Sequence, residues 1–374
     1  MSIHVITGGT GFVGSAIILE LLRQTDVEVI ALVRPGSQTA EERLQNALER
    51  ACQAYDYGED ILKATQTRCR AVPGDLHAER CGVSEQLPPI DQFWHCAASL
   101  QYEDRYQSEI YATNLEGTRH AVELARHLGV SGSFNYVSTA YVAGRRSGYI
   151  PEQLMSENWT NNHYEASKVE AEAVVARITE MPTRILRPSI VVGHSRTFAA
   201  ANSFSGMYGF MRKLLQFKGA MSRVQEGLLS RETLQMRVDA EALLNLVPVD
   251  MVARQAVQIA CSSSPQRFFH LTNATPPTTS KFLYTLFDEL EIKQPLLVES
   301  RENFSWIDKK LDQGIAFYSS YLVGSKVFDR HNTNAALGRD CEDGFVFDTP
   351  TLLAYFRWYL DLLAVTRPRL LATR

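Results

Sequence analysis

Apolar positions fall into two alternating rhythms along the first half of the chain. Ile3 to Thr7, Val27 to Val33, Arg70 to Val72, Gln92 to His95 and Phe134 to Val137 are short runs rich in β-branched and aromatic residues. Their length and apolarity predict strands buried on both faces. Between them, Ser15 to Arg23, Ala40 to Tyr55 and Tyr111 to Leu128 interleave charged and apolar residues at helical spacing. Strand and helix in alternation predict an α/β fold, a doubly wound parallel sheet with ligands at the carboxyl ends of its strands. After His194 the rhythm loosens. Phe268 to Thr272 reads as one more strand, whereas Ser280 to Leu290 and Leu352 to Leu363 read as helices. The expected organisation is a sheet domain over 1–195, with 245–275 returning to it. A smaller, mostly helical substrate-binding or lid region covers 196–244 and 276–374. No repeat or low-complexity linker separates the two.

Composition narrows the function classes. Of 374 residues, 45% are hydrophobic and 21% charged, ordinary values for a globular protein. The net charge of −4 argues against a general nucleic-acid binder. Cysteines 52, 69, 81, 96, 261 and 341 form no Cys-x-x-Cys pair and do not cluster with histidine. They read as free thiols in a reducing compartment, and no metal site is expected. No apolar run reaches the length of about 18 residues that a membrane span needs. The N-terminus lacks the pattern of a signal peptide, so a cytoplasmic location is expected. Leu352 to Leu363 carries few polar residues. It reads as a packing helix, with contact to a membrane surface or a partner as the alternative. Arg367, Arg369 and Arg374 read as a frayed tail.

The candidate chemistry starts at Gly8, Gly11 and Gly14, between the first strand and the first helix. Glycines at this spacing let the turn close tightly and let a pyrophosphate approach the helix N-terminus, as in Rossmann folds. The second strand ends in Arg34 rather than a carboxylate. Arginine there suits a 2′-phosphate and favours NADP(H) over NAD(H); a solvated loop charge is the plainer alternative. Asp75, after the third strand, is either an adenine partner or a turn aspartate. Cys96-Ala97-Ala98 are small enough to pass beneath a cofactor. Ser138 and Thr139 close the fifth strand. Tyr164 and Lys168 stand four residues apart, on one helix face. Alone that pair is a chance-level match. Beside a phosphate turn and a hydroxyl pair it suits hydride transfer to or from a carbonyl. The hydroxyl and the phenol bind the developing oxyanion, and the ammonium lowers the phenol's pKa.

The segments TGGTGFVG (7–14), GDL (74–76), HCAAS (95–99), TNLEGT (113–118), YVSTAYVAG (136–144), YEASKVEAE (164–172) and RPSIVVG (187–193) occur in order over roughly the first 195 residues. Together they resemble the extended short-chain dehydrogenase/reductase family. The resemblance implies Thr139, Tyr164 and Lys168 as catalytic residues, with Ser138 beside them. It implies Gly8, Thr10, Gly11, Phe12, Val13, Gly14, Arg34, Asp75, Leu76, Ala97, Asn114, Lys168, Pro188 and Ser189 as the cofactor-binding set. Asn114 is either a fourth member of the catalytic relay or a tie between its helix and a strand.

STAYVAG (138–144), NLVPVDMVA (245–253) and, weakly, KVFDRHNT within the Tyr318 to Asn334 tail are similar to segments of fatty acyl-CoA reductases and carrier-protein thioester reductase domains. This branch implies NADPH-dependent reduction of an acyl thioester to an aldehyde, and on to the alcohol. A ketone reductase or hydroxy-dehydrogenase, a nucleotide-sugar epimerase or dehydratase, and a non-catalytic NADP-binding regulator are the alternatives. Arg196, Arg212, Lys213, Lys218, Arg223, Arg231 and Arg237 face only Glu226, Glu232 and Asp239 across the loosened stretch. They read as a basic lid for a phosphopantetheine arm or an acidic carrier, or as a solvated face. Met207, Phe210, Met211, Leu214, Leu215 and Phe217 read as core ahead of an acyl tunnel.

Overall fold

The apolar runs do form the strands of one sheet. In the computed structural model, which describes residues 2–101, 103–155, 159–338 and 344–371, they are β1 (Ile3–Thr7), β2 (Glu28–Val33), β3 (Cys69–Pro73), β4 (Gln92–His95) and β5 (Ser133–Val137). Thr183–Pro188 (β6) and Phe268–Leu271 (β7) complete it. All seven run parallel, in the order β7-β6-β5-β4-β1-β2-β3. The chain leaves β1 in one direction and later resumes at β4 on its other side. A crevice therefore opens at the carboxyl ends of β1 and β4.

Helices cover both faces. Ile6, Val29 and Ala31 point to one side and pack with Ile17, Leu21, Leu48, Val252 and Ala256. Val5, Phe93, Phe134, Tyr136 and Ile185 point to the other and pack with Ala121, Leu124 and Val175. The helix Ala40–Tyr55 has the expected bounds, and a capping box between Thr39 and Glu42 starts it. One expectation fails. Tyr111 to Leu128 is not a continuous α-helix: a π turn over Ala112–Glu116 separates Gln107–Tyr111 from Gly117–His127. The wider turn accompanies a fully buried Asn114, whose carbonyl accepts the Thr118 hydroxyl at 2.6 Å.

The later part of the chain is mostly helical, as expected, around a second core. Met207–Val224, Thr279–Glu289, Trp306–Gly314 and Thr349–Thr366 contribute Leu214, Phe282, Leu311 and Phe356 to it. The last helix starts at Asp348, whose carboxylate accepts the Thr351 N–H at 2.9 Å. Its apolar stripe of Leu352, Tyr355, Phe356, Tyr359, Leu360 and Leu363 is buried in this core. The 245–253 segment returns to the sheet side. Leu246–Pro248 pairs with Ile190–Val192, and Val249–Cys261 then packs on Phe12–Gln24. Among the described residues no helix is long and apolar enough to cross a membrane, and no cluster of His, Cys, Asp and Glu is placed to hold a metal ion. Cys341 and Arg374 lie outside the described residues; the other cysteines are free.

Candidate active site

The turn after β1 is built for close approach. Gly8 has φ of +73°, and its carbonyl accepts the Gly11 N–H at 2.9 Å. A Cβ on Gly8 would stand 2.6 Å from the Ala97 nitrogen, and one on Gly14 would collide with the Gly8 carbonyl. The turn thus presses against the small residues after β4, and Ala97 donates its N–H to Thr7 Oγ1 at 3.3 Å. The helix Phe12–Gln24 begins at Gly11 with no side-chain cap and no acid in its first turn. Its first N–H groups are left for an anion. Gly8, Thr10, Gly11, Phe12, Val13 and Gly14 line one cavity of about 1030 Å³, at the top of the range for ligand sites. Arg34, Asp75, Leu76 and Ala97 line it too. Asp75 also accepts the His77 N–H at 3.0 Å, so the turn role and the cavity position coexist. These residues fit a dinucleotide.

The sequence did not single out Arg43. It sits on the helix that follows Arg34, donates to the Arg34 carbonyl, and lines the same cavity. The legible signal was a basic residue one turn beyond a capped helix start that follows the selector position.

The reactive groups converge farther along the same crevice. Thr139 caps the short turn Ala140–Ala143, with Oγ1 accepting the Tyr141 N–H at 3.2 Å. Ser138 is buried, and its Oγ finds no partner among the described residues. Such an orphan in a cavity wall suits a ligand oxygen. Asn162 caps the helix His163–Ala176, which brings Tyr164 and Lys168 to the cavity one turn apart. Lys168 Nζ donates to the Val137 carbonyl at 2.9 Å and stands 4.2 Å from the centre of the Tyr136 ring. Burial lowers the lysine to about 7, against the pull of Glu172 one turn on. The Tyr164 phenol is held above its ordinary value. Burial is the main cause, Glu165 adds to it, and the neighbouring Thr139 hydroxyl works the other way. The expected acidification of the phenol by Lys168 is therefore absent here. The lysine is engaged by Val137 and Tyr136, and the charge acting on the phenol is that of Glu165.

A pH test follows from Lys168. The folded chain releases this proton near pH 7, whereas the free side chain keeps it to 10.5. Between those values the unfolded state binds more protons, so this group's contribution to stability rises with pH. In cofactor-free protein, the melting-temperature gain of Lys168→Met over wild type is expected to be largest at pH 7 and below, and to shrink toward about pH 10. A difference that is flat across this range would refute the buried, partly neutral lysine.

Asn114 is the clearest departure from the expected cofactor set. It does not line the cavity. Its Oδ1 accepts the Ser99 N–H at 2.7 Å, and its Nδ2 donates to the Ser99 carbonyl at 3.1 Å and to Ser167 Oγ at 3.0 Å. It ties the loop after β4 to the helix of Tyr164 and Lys168. Pro188 and Ser189 do line the cavity, and Ser189 Oγ donates to Asn245 at 2.6 Å.

Three of the seven cations of the basic stretch are engaged by main-chain carbonyls. Lys218 donates to the Leu290 carbonyl at 2.7 Å, Arg231 to the Gly227 carbonyl at 3.1 Å, and Arg237 to the Glu299 carbonyl at 3.2 Å. Of the seven cations, Arg212 lines the cavity. The apolar positions of that helix divide. Met211, Leu214, Leu215 and Phe217 belong to the second core, whereas Met207 and Phe210 also line the cavity. Tyr141, Phe282, Phe317, Tyr318 and Tyr321 line it as well, and none was expected at the site.

Residues 6–256 match the profile of a family described as Male sterility protein. A putative fatty acyl-CoA reductase of Drosophila melanogaster is 24% identical over 86% of this chain and 64% of its own length. A linear gramicidin synthase protein of Brevibacillus parabrevis is 28% identical over 89% of this chain but 6% of its own length. The chain thus spans less than two thirds of either relative. Among solved structures, the terminal R domain of the myxalamid PKS-NRPS pathway aligns with a TM-score of 0.73 at 24% identity, covering 97% of this chain and 91% of that one. A reductase domain of a nonribosomal peptide synthetase from Mycobacterium tuberculosis aligns with a TM-score of 0.67 at 17% identity, covering 98% and 92%. At these identities the structures establish the fold.

Proposed function

This chain belongs to the Male sterility protein family, as an oxidoreductase of the extended short-chain dehydrogenase/reductase type that binds a nicotinamide cofactor, and from that premise we propose that it reduces an acyl thioester with NADPH. The observation that carries this reading is the single cavity shared by the phosphate turn, the Thr139, Tyr164 and Lys168 side chains, and an apolar wall from the C-terminal region. Relatives named as a fatty acyl-CoA reductase and as a linear gramicidin synthase support the substrate class. In this reading 1–195 with 245–275 form the cofactor-binding unit, and 196–244 with 276–374 the substrate side.

The roles follow from the groups present. Gly8, Gly11 and Gly14 leave room for the pyrophosphate at the N-terminus of Phe12–Gln24. Arg34 and Arg43 flank the position of a 2′-phosphate. When bound in this cavity, NADPH would supply a hydride for the thioester carbonyl carbon. Thr139 and Tyr164 donate hydrogen bonds to the carbonyl oxygen as it gains charge, and the orphan Ser138 hydroxyl adds to them. A phenol held protonated by its surroundings suits the proton-donor role. Lys168 holds the nicotinamide ribose. Collapse of the hemithioacetal releases the thiol and an aldehyde, and a second reduction gives the alcohol.

The test is cofactor oxidation, followed by absorbance, across a panel of acyl-CoA and acyl-carrier thioesters. Turnover with NADPH is expected. Turnover confined to a ketone or a nucleotide sugar would replace the proposal. In the same assay Arg34→Ala is expected to weaken NADPH binding by about 10- to 100-fold, the scale of one charge-assisted contact, and to leave NADH unaffected. An equal loss for both cofactors would remove Arg34 as the selector.

A further inference from the structure

The aromatic side chains that line the cavity form a continuous file leading away from the reactive groups. Tyr141, two residues beyond Thr139, meets Tyr321 edge-on at 4.7 Å between ring centres. Tyr321 meets Phe317 at 5.5 Å, and Phe317 meets Tyr318 at 4.9 Å. Tyr318 then meets Phe210 at 5.5 Å, and Phe210 meets Phe282 at 6.2 Å. All six rings border the one cavity, and Leu244, Leu246 and Leu322 border it with them. The file therefore runs from the catalytic end into the second core, and none of these side chains carries a charge at neutral pH.

Tyr318 occupies a distinctive place in the file. Its hydroxyl lies where a side chain on residue 209 would stand, because a Cβ built on Gly209 collides with Tyr318 Oη. Gly209 is buried within the helix Met207–Val224, where glycine costs stability relative to alanine by roughly 1 kcal/mol. The vacant Cβ position is what lets the phenol lie back against the helix instead of across the cavity. Met207 and Phe210 flank Gly209 and face the same space.

We propose that the Gly209–Tyr318 pair sets the length of an apolar acyl chain that extends from the reactive carbonyl along this aromatic file. The pair is thus a specificity determinant rather than part of the reacting centre. The inference rests on the thioester reading above and adds the chemistry of the acyl group: apolar, and limited in length by Tyr318. Truncating the tyrosine widens the chamber toward Phe210 and Phe282. Adding a methyl at residue 209 displaces the phenol toward the chamber and shortens it. The two substitutions therefore act in opposite directions on the same quantity.

The experiment measures kcat/KM with NADPH for saturated acyl-CoA substrates from butanoyl to hexadecanoyl, in wild type, Tyr318→Ala and Gly209→Ala. Tyr318→Ala is expected to move the optimum to longer chains, with a gain of roughly fourfold per additional methylene that becomes buried. Gly209→Ala is expected to move it to shorter chains by the same measure. NADPH affinity, read by quenching of intrinsic fluorescence, reports that each variant is folded and should match wild type. If either variant fails that control, the other decides alone. Chain-length profiles that superimpose on wild type, in variants that bind NADPH normally, overturn the proposal. A wild type that reduces none of the series while reducing another carbonyl compound overturns the underlying thioester reading instead.

Discussion

Replacing Tyr164 by phenylalanine is expected to lower kcat by about 10²-fold or more while NADPH affinity stays near wild type. The ring is retained, so the packing of this half-buried side chain changes little. What goes is one hydroxyl that both donates to the developing oxyanion and supplies the proton. Serving in both roles, it has to stay protonated until the carbonyl oxygen has gained charge. Burial and the adjacent Glu165 keep it so. Glu165 is itself fully buried and is held by the Asn161 N–H at 2.7 Å. Steady-state kinetics with a responsive thioester and a separate NADPH titration check the point. A Tyr164→Phe enzyme within a few-fold of wild type in kcat would mean that Thr139 and Ser138 suffice, or that the reacting carbonyl sits elsewhere.

The largest stability effect is expected at Arg187, on β6. Its guanidinium is inaccessible to solvent and donates to the Glu172 carboxylate from Nε at 2.9 Å and from Nη2 at 2.6 Å. Nη2 also donates to the Gln153 carbonyl at 2.9 Å, and the group lies 5.1 Å from the Phe268 ring centre. Arg187→Leu would leave the Glu172 carboxylate buried without its cation. Loss of one partner from such a pair costs about 3–5 kcal/mol. Removing both charges, in Arg187→Leu/Glu172→Leu, is expected to recover much of that, because an apolar pair carries no desolvation penalty. Chemical denaturation of the three variants reads this directly, and a single substitution costing under about 1 kcal/mol would show that water reaches the pair. The consequence extends to the site, since Glu172 is also the charge that opposes the loss of the Lys168 proton.

Much of the sheet domain was legible from local pattern. Val5 and Ile6 are apolar in succession because β1 has helices on both faces, and that run reads as a buried strand with no other information. The phosphate turn was legible because its glycines are close in sequence, and Tyr164 and Lys168 were legible because one helical turn fixes their separation. The setting of Asn114 was not legible, for the same local reason. Its place in a helical pattern gave no sign of the π turn that draws it inward to Ser99 and Ser167. The partners of the lid cations were not legible, because a count of charges carries no information about the carbonyls that receive them. Lys218 reaches Leu290, and Arg237 reaches Glu299.

What the chain determines by itself, then, is everything set within a turn or a strand length: the alternating elements, the anion-binding helix start, and the spacing of the phenol and the ammonium. Tertiary structure alone decided what those groups experience. It desolvates the Tyr164 phenol and buries Lys168, so that the phenol is held protonated and the lysine partly neutral. Among the described residues it leaves Ser138 Oγ unpartnered beside them. It also brings Phe317, Tyr318 and Tyr321 from the far end of the chain to face Tyr141 and Phe210. The physical reason is range. Backbone geometry acts over a few residues, whereas desolvation and the shape of a cavity depend on segments that sequence separation keeps apart.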